Sequence, residues 1–236
     1  MRLKFLIIFI LGILSKPNYA QNSKTGNWLM YFGNQSINKK WNIWNEVQYR
    51  NYNIIGDLQQ FLLRTGVGYN LTENNNNILL GYAYVYTENY IRNSSDKLGS
   101  KEHRIYQQFL TRQIFKPIAL QHRYRIEERF LPDEFQIRFR YSLALQVPIN
   151  QSSLIRNTVY LAVSNEIFIK NASPQFDRDR IYLALGYVIN PYFRLEAGMM
   201  SQILESNHRN QFQIGLFNQM PIPIKSKKND RLAFPK

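Results

Sequence analysis

Between Phe135 and Val147 every second residue is apolar. Phe135, Ile137, Phe139, Tyr141, Leu143, Leu145 and Val147 alternate with Gln136, Arg138, Arg140, Ser142, Ala144 and Gln146. Side chains of an extended strand point to opposite faces in turn, so this period of two defines one apolar and one polar face. A helix would scatter both sets around its circumference. The segment is therefore a strand, and the same division recurs along most of the chain.

Trp41, Ile43, Val47 and Tyr49 oppose Asn42, Trp44, Glu46, Gln48 and Arg50. Phe61, Leu63, Val67, Tyr69 and Leu71 oppose Gln60, Arg64, Gly66, Gly68 and Asn70. In LQHRYRIEERF, residues 120–130, Arg123, Arg125, Glu127 and Arg129 share one face, and His122, Tyr124, Ile126, Glu128 and Phe130 the other. Glu166 opposes Ile167 and Ile169, Arg178 and Arg180 oppose Ile181 and Leu183, and Arg194 and Glu196 oppose Phe193 and Leu195. Arg209, Gln211 and Gln213 oppose Phe212 and Ile214. Two segments are less regular. Residues 77–90 set Gly81 and Ala83 against Tyr82, Tyr84 and Tyr86, and residues 102–115 put Glu102, Arg104, Gln108 and Arg112 on the polar face.

Ten strands follow between Trp41 and Met220, and the predicted class is all-β, an antiparallel transmembrane β-barrel of 10–12 strands. The ten strands carry no Lys or Arg on the apolar face. The earlier NWLMYFGNQSI, residues 27–37, is an eleventh candidate, expected either to partner a twelfth strand or to fold at the seam.

The chain opens MRLKFLIIFILGILSKPNYAQ: two cations, a ten-residue apolar run from Phe5 to Leu14, then a polar segment ending at Ala20. This is the layout of a secretory signal peptide cleaved after residue 20. The apolar run is short of the roughly 20 residues a membrane-spanning helix takes. The expected organisation is a signal peptide over 1–20, a barrel over 21–220 and a basic tail over 221–236. With no cysteine and three separated histidines, His103, His122 and His208, neither a disulfide framework nor a local metal-ligand spacing is present. No cofactor is expected. The net charge of +14 would suit a nucleic-acid binder if it formed an exposed patch, but the arginines sit within strands, so no nucleic-acid partner is expected.

Period two alone does not say which face is interior. A soluble lipocalin-like barrel would hold the apolar set inside and bind an apolar ligand. A membrane barrel turns it toward lipid around a polar interior. Three features favour the membrane barrel, with outer-membrane lipid and the outer-membrane assembly machinery as partners. Ten or more strands exceed the eight usual for small soluble barrels. Trp41, Tyr49, Tyr69, Phe115, Phe130, Phe135, Tyr192 and Phe193 lie near strand ends, where aromatic girdles sit. If residues 92–101 form an extracellular connection, the connections on that side are the longer ones on average.

The runs EHRIYQQF, HRYRIEERF, IRFRYSLAL, QFDRDRIYLALGY and YFRLEAGMM also resemble a family of Gram-negative outer-membrane β-barrel proteins known as a domain of unknown function, the 2490 family. The resemblance covers nearly all of the chain after residue 20. It implies an outer-membrane location and no established activity. Barrels of that location commonly end on a strand with a terminal aromatic, whereas QFQIGLFNQM here continues into a tail ending FPK.

The charged residues expected to line the lumen are Glu46, Arg50, Arg64, Glu102, Arg104, Arg112, Arg123, Arg125, Glu127, Arg129, Arg138, Arg140, Glu166, Arg178, Arg180, Arg194 and Glu196. Guanidinium forks suit bidentate carboxylate pairing, so one expectation is a charged plug that stiffens the wall. The other is a narrow channel passing a small anionic solute, because excess arginine favours anions in a pore. Gly66, Gly68, Gly81 and Ala83 are expected to leave room for these long side chains. Glu88, His103 and Glu128 form a weaker constellation at the rim that could serve lipid hydrolysis, but no serine nucleophile shares their face. The chain is therefore not read as an enzyme.

Overall fold

The computed structural model describes residues 25–72 and 75–223, and these form eleven β-strands and no helix. The predicted signal peptide and residues 224–236 of the predicted tail lie outside the described residues. The strands are β1 (Gly26–Ser36), β2 (Trp41–Asn51), β3 (Leu58–Asn70), β4 (Asn76–Tyr90), β5 (Lys97–Phe115) and β6 (Ile118–Phe130). They continue as β7 (Phe135–Pro148), β8 (Val159–Lys170), β9 (Phe176–Val188), β10 (Phe193–Ile203) and β11 (His208–Asn218). Each pairs antiparallel with its chain neighbour, as short connections require, and β1 meets β11 to close the barrel.

The closing pair is parallel, running from Gly26 opposite Gln211 to Gly33 opposite Asn218. Parity dictates this. A meander reverses direction at every strand, so an odd number returns to its first strand in the same sense. Segment 27–37 thus folds at the seam, and no twelfth strand is found among the described residues. The start of β1 and the end of β11 consequently lie on opposite rims.

The rim at the start of β1 carries connections 52–57, 91–96, 131–134, 171–175 and 204–207; the other carries 37–40, 71–75, 116–117, 149–158 and 189–192. Neither set is longer on average, which corrects the expected asymmetry. Residues 97–101 extend β5 instead of lengthening a loop, because they pair with residues 86–90 of β4 above the neighbouring strands. On the opposite rim, connection 149–158 folds inward and packs Leu154 against Tyr160, Ala162, Ala184 and Val188.

The two faces of the wall differ as sharply as the sequence does. Arg125, Arg138 and Glu127 are buried in the lumen, whereas Leu80 is 60 % exposed and Leu185 58 % exposed on the outside. Phe135, Phe139, Val67 and Leu183 share that outer surface. Near one rim Trp41 packs edge-on against Tyr69 with ring centroids 4.9 Å apart, and near the other Phe130 meets Phe135 at 5.2 Å.

Two glycines let the lumen fill. A Cβ at Gly81 would collide with the ring of Tyr106, and one at Gly186 with the ring of Tyr160. Both tyrosines are fully buried. The space on the glycine wall is taken by Tyr106, by Asn42 against Gly68 and by Leu79 against Gly66, not directly by arginines. Tyr106 then becomes the surface on which two arginines rest.

Candidate functional site

At the waist, β6 delivers Glu127 to the centre of the lumen with none of its surface exposed. Five arginines from four strands surround it. Arg138 and Arg140 of β7 reach its carboxylate at 2.5 and 2.6 Å, Arg64 of β3 at 3.5 Å, Arg125 at 3.6 Å and Arg104 of β5 at 3.9 Å. The first two are hydrogen-bonded ion pairs; the other three supply field.

The ion pairs continue outward from this centre. Arg64 donates to Glu46 of β2 at 2.6 Å. Arg140 shares Glu166 of β8 with Arg123, each at 2.7 Å. Glu102 accepts from Arg104 at 2.6 Å and from Arg129 at 2.5 Å, and Arg129 reaches on to Gln136. Arg138 also binds Asp177 at 3.0 Å, and Arg178 binds the same carboxylate at 3.1 Å. One connected lattice therefore spans strands β2, β3, β5, β6, β7, β8 and β9.

Aromatic rings complete the filling. Arg125 donates to Gln108 at 2.6 Å and lies 4.6 Å from the centroid of Tyr106, where Arg64 also rests at 5.3 Å. Phe168, buried beside the lattice, has Arg140 at 4.4 Å and Arg180 at 4.7 Å from its ring centroid, with Arg138 and Arg178 farther off. Guanidinium stacking over a desolvated ring is worth about 2 kcal/mol or more, and it anchors long side chains that would otherwise sample many rotamers.

The remaining predicted residues stand apart from this lattice. Arg112 donates to Gln121 at 3.0 Å, and Arg194 to Gln146 at 3.3 Å, both toward the rim that bears connection 149–158. Glu196 accepts from Tyr160 at 2.9 Å and from Gln146 and Tyr182 at longer range. Arg50 and Arg180 occupy the opposite half, held by Gln48 and Gln202.

Above the lattice lies a cavity of about 290 Å³ whose wall includes Trp28, Arg50, Glu102, Arg140, Phe168 and Arg180. Eight arginines line it and Glu102 is the one carboxylate among its lining residues. Polar side chains of Gln59, Gln60, Thr87, Asn89 and Ser100 line it toward the rim at the start of β1.

The rim constellation does not assemble. His103 bonds Tyr82 at 2.6 Å, Glu128 accepts from Gln107 at 3.1 Å, and Glu88 takes Lys97 at 3.2 Å. His103 lies opposite Tyr84 while Glu88 lies opposite Gly99, four residues along the same strand pair. No cluster of three His, Asp or Glu able to hold a metal ion occurs among the described residues.

The sequence reading missed Trp28, Tyr106, Phe168 and Asp177 as parts of the interior. The first three are aromatic residues on the lumen side, each packed against a guanidinium. Asp177 breaks the alternation that puts Arg178 and Arg180 inward; the β8–β9 register shifts beside it, between Phe168 and Ile169.

Residues 25–213 match the family described as "Protein of unknown function (DUF2490)". No curated protein and no solved structure matches the chain.

Proposed function

Since the chain belongs to the DUF2490 family, whose description assigns no activity, its own geometry must carry the reading, and we propose an outer-membrane β-barrel closed at its waist. The observation behind it is the inversion of the wall. Arginines and glutamates fill the middle while large apolar side chains cover the outside. A soluble barrel would expose that apolar belt to water at about 25 cal/mol per Å². A contiguous apolar surface of this kind marks contact with a membrane or a partner. Strands of 11 residues or more suit a tilted crossing, which takes about 9–11. The rim aromatics fit the headgroup level. The predicted export signal over residues 1–20 belongs to the same reading.

Closure follows from the lattice. An ion crossing the waist would have to part Arg138 and Arg140 from Glu127, and Glu46 from Arg64, all of them buried side chains. The protein acts as a stiff wall element of the membrane, with no catalytic step. The surplus of arginine favours a second reading, rare anion-selective passage, over any cation pathway.

Fractionation and recording test both parts. The mature chain should sediment with the outer membrane, require detergent for extraction, and migrate differently on gels before and after boiling. Recovery in a detergent-free soluble fraction would overturn the membrane reading. In planar bilayers no steady conductance is expected, and steady or cation-selective current would overturn closure.

A further inference from the structure

Two of the eight arginines lining the cavity have no carboxylate partner among the described residues. Arg64, Arg104, Arg129, Arg138, Arg140 and Arg178 all have a carboxylate partner within 4 Å. Arg50 and Arg180 line the same cavity, yet neither has one among the described residues. Both lie against one indole: the Arg50 guanidinium carbon is 3.8 Å and that of Arg180 5.1 Å from the Trp28 ring centroid.

Their side chains are held as donors. The Nε of Arg50 donates to Gln48 Oε1 at 2.9 Å, and the Nε of Arg180 to Gln202 Oε1 at 3.0 Å. Amide oxygens orient a guanidinium without neutralising it, so two full positive charges remain beside the cavity. Arg50 is only 8 % exposed, and bringing it so far out of water without a counter-charge is unfavourable. Trp28, itself buried, also lines the cavity, and its Nε1–H has no hydrogen-bond partner. An oriented pair of guanidiniums, Arg50 buried and Arg180 partly buried, with no carboxylate partner and a spare N–H donor beside them, is a site built for an anion.

We propose that Arg50, Arg180 and Trp28 bind a phosphate monoester in this cavity. The two guanidiniums without a carboxylate partner can each meet a dianion, and planar forks suit its three terminal oxygens. The volume of about 290 Å³ exceeds what the acid group alone needs, and Gln60, Thr87, Asn89 and Ser100 offer hydrogen bonds to a hydroxylated body. The site requires only the lumen, so it stands whether or not the barrel is embedded in a membrane.

The test is calorimetric titration of the full chain, folded in detergent, with inorganic phosphate, glucose 6-phosphate, glucose and dihexanoyl phosphatidic acid. Glucose 6-phosphate binding tighter than phosphate, with no heat from glucose, supports the proposal for a soluble ligand. Tighter binding of the phosphatidic acid supports it for a lipid headgroup. Arg50→Gln and Arg180→Gln should each weaken binding about ten- to a hundredfold, the loss of one charge-assisted contact. Arg112→Gln, at the opposite rim, should leave binding unchanged. Should Arg50→Gln fail to fold, Arg180→Gln and Trp28→Phe, which removes the N–H donor and narrows the ring under the two guanidiniums, carry the test. No binding by the folded native chain, or binding indifferent to Arg180→Gln and Trp28→Phe, overturns it.

Discussion

A single carboxylate holds the middle of this barrel. Glu127 faces five guanidiniums without contact with water, so removing its charge leaves them to repel one another in a desolvated site. Truncating one partner of such a pair is destabilising by about 3–5 kcal/mol, most of it from the charges left behind. Glu127→Gln keeps the shape and removes the charge, and it should lower the urea midpoint of the detergent-folded protein accordingly. Glu88→Gln makes the contrast. Its partner Lys97 is near a rim and retains Asp57 at 2.6 Å, so a change within about 1 kcal/mol is expected. Equal midpoints for the two variants would mean that the lattice contributes nothing special to stability.

The seam between β1 and β11 is the one junction that chain neighbours do not make. β1 reads poorly as a strand because apolar residues stand on both of its faces: Leu29 is exposed outside, while Trp28 is buried in the lumen and Phe32 stacks on Phe217 at 4.9 Å. Alternation is legible only where the two environments differ, as in β6 and β7, whose Arg and Glu positions can be assigned from period two. Which carboxylate each arginine meets is not legible in the same way. Arg64 and Glu127 lie on β3 and β6, and a long side chain reaches across the lumen to strands that the local pattern never compares. Closure in parallel is likewise a consequence of strand parity, so it emerges only once β1 is counted. The register is open to a direct check because the chain has no cysteine. Leu29 lies opposite Ile214, and register partners in a sheet are close enough to bridge. The double variant Leu29→Cys with Ile214→Cys should form an intramolecular disulfide on oxidation, and Leu29→Cys with Phe212→Cys should not. The reverse result would place the seam in a register slipped by two residues.

An odd number of strands gives the whole molecule a polarity that an even-stranded barrel lacks. The chain enters β1 at the rim of the arginine-lined cavity and leaves β11 at the rim where Leu154 packs inward. In a membrane, residues just before β1 and just after β11 must then face opposite compartments. Thr25 and Met220 are both exposed at these points, and each can be made the chain's sole cysteine. A bulky, membrane-impermeant maleimide applied to intact cells should label one of Thr25→Cys and Met220→Cys, and both only after lysis. The filled waist matters here, since the reagent has no route through the lumen to the far rim. Labelling of both sites on intact cells would require an even number of crossings, and β1 would then have to leave the barrel wall. Whichever site reacts also fixes the compartment from which a phosphate monoester reaches Arg50 and Arg180: Thr25 shares their rim, so its labelling would place that mouth at the cell surface.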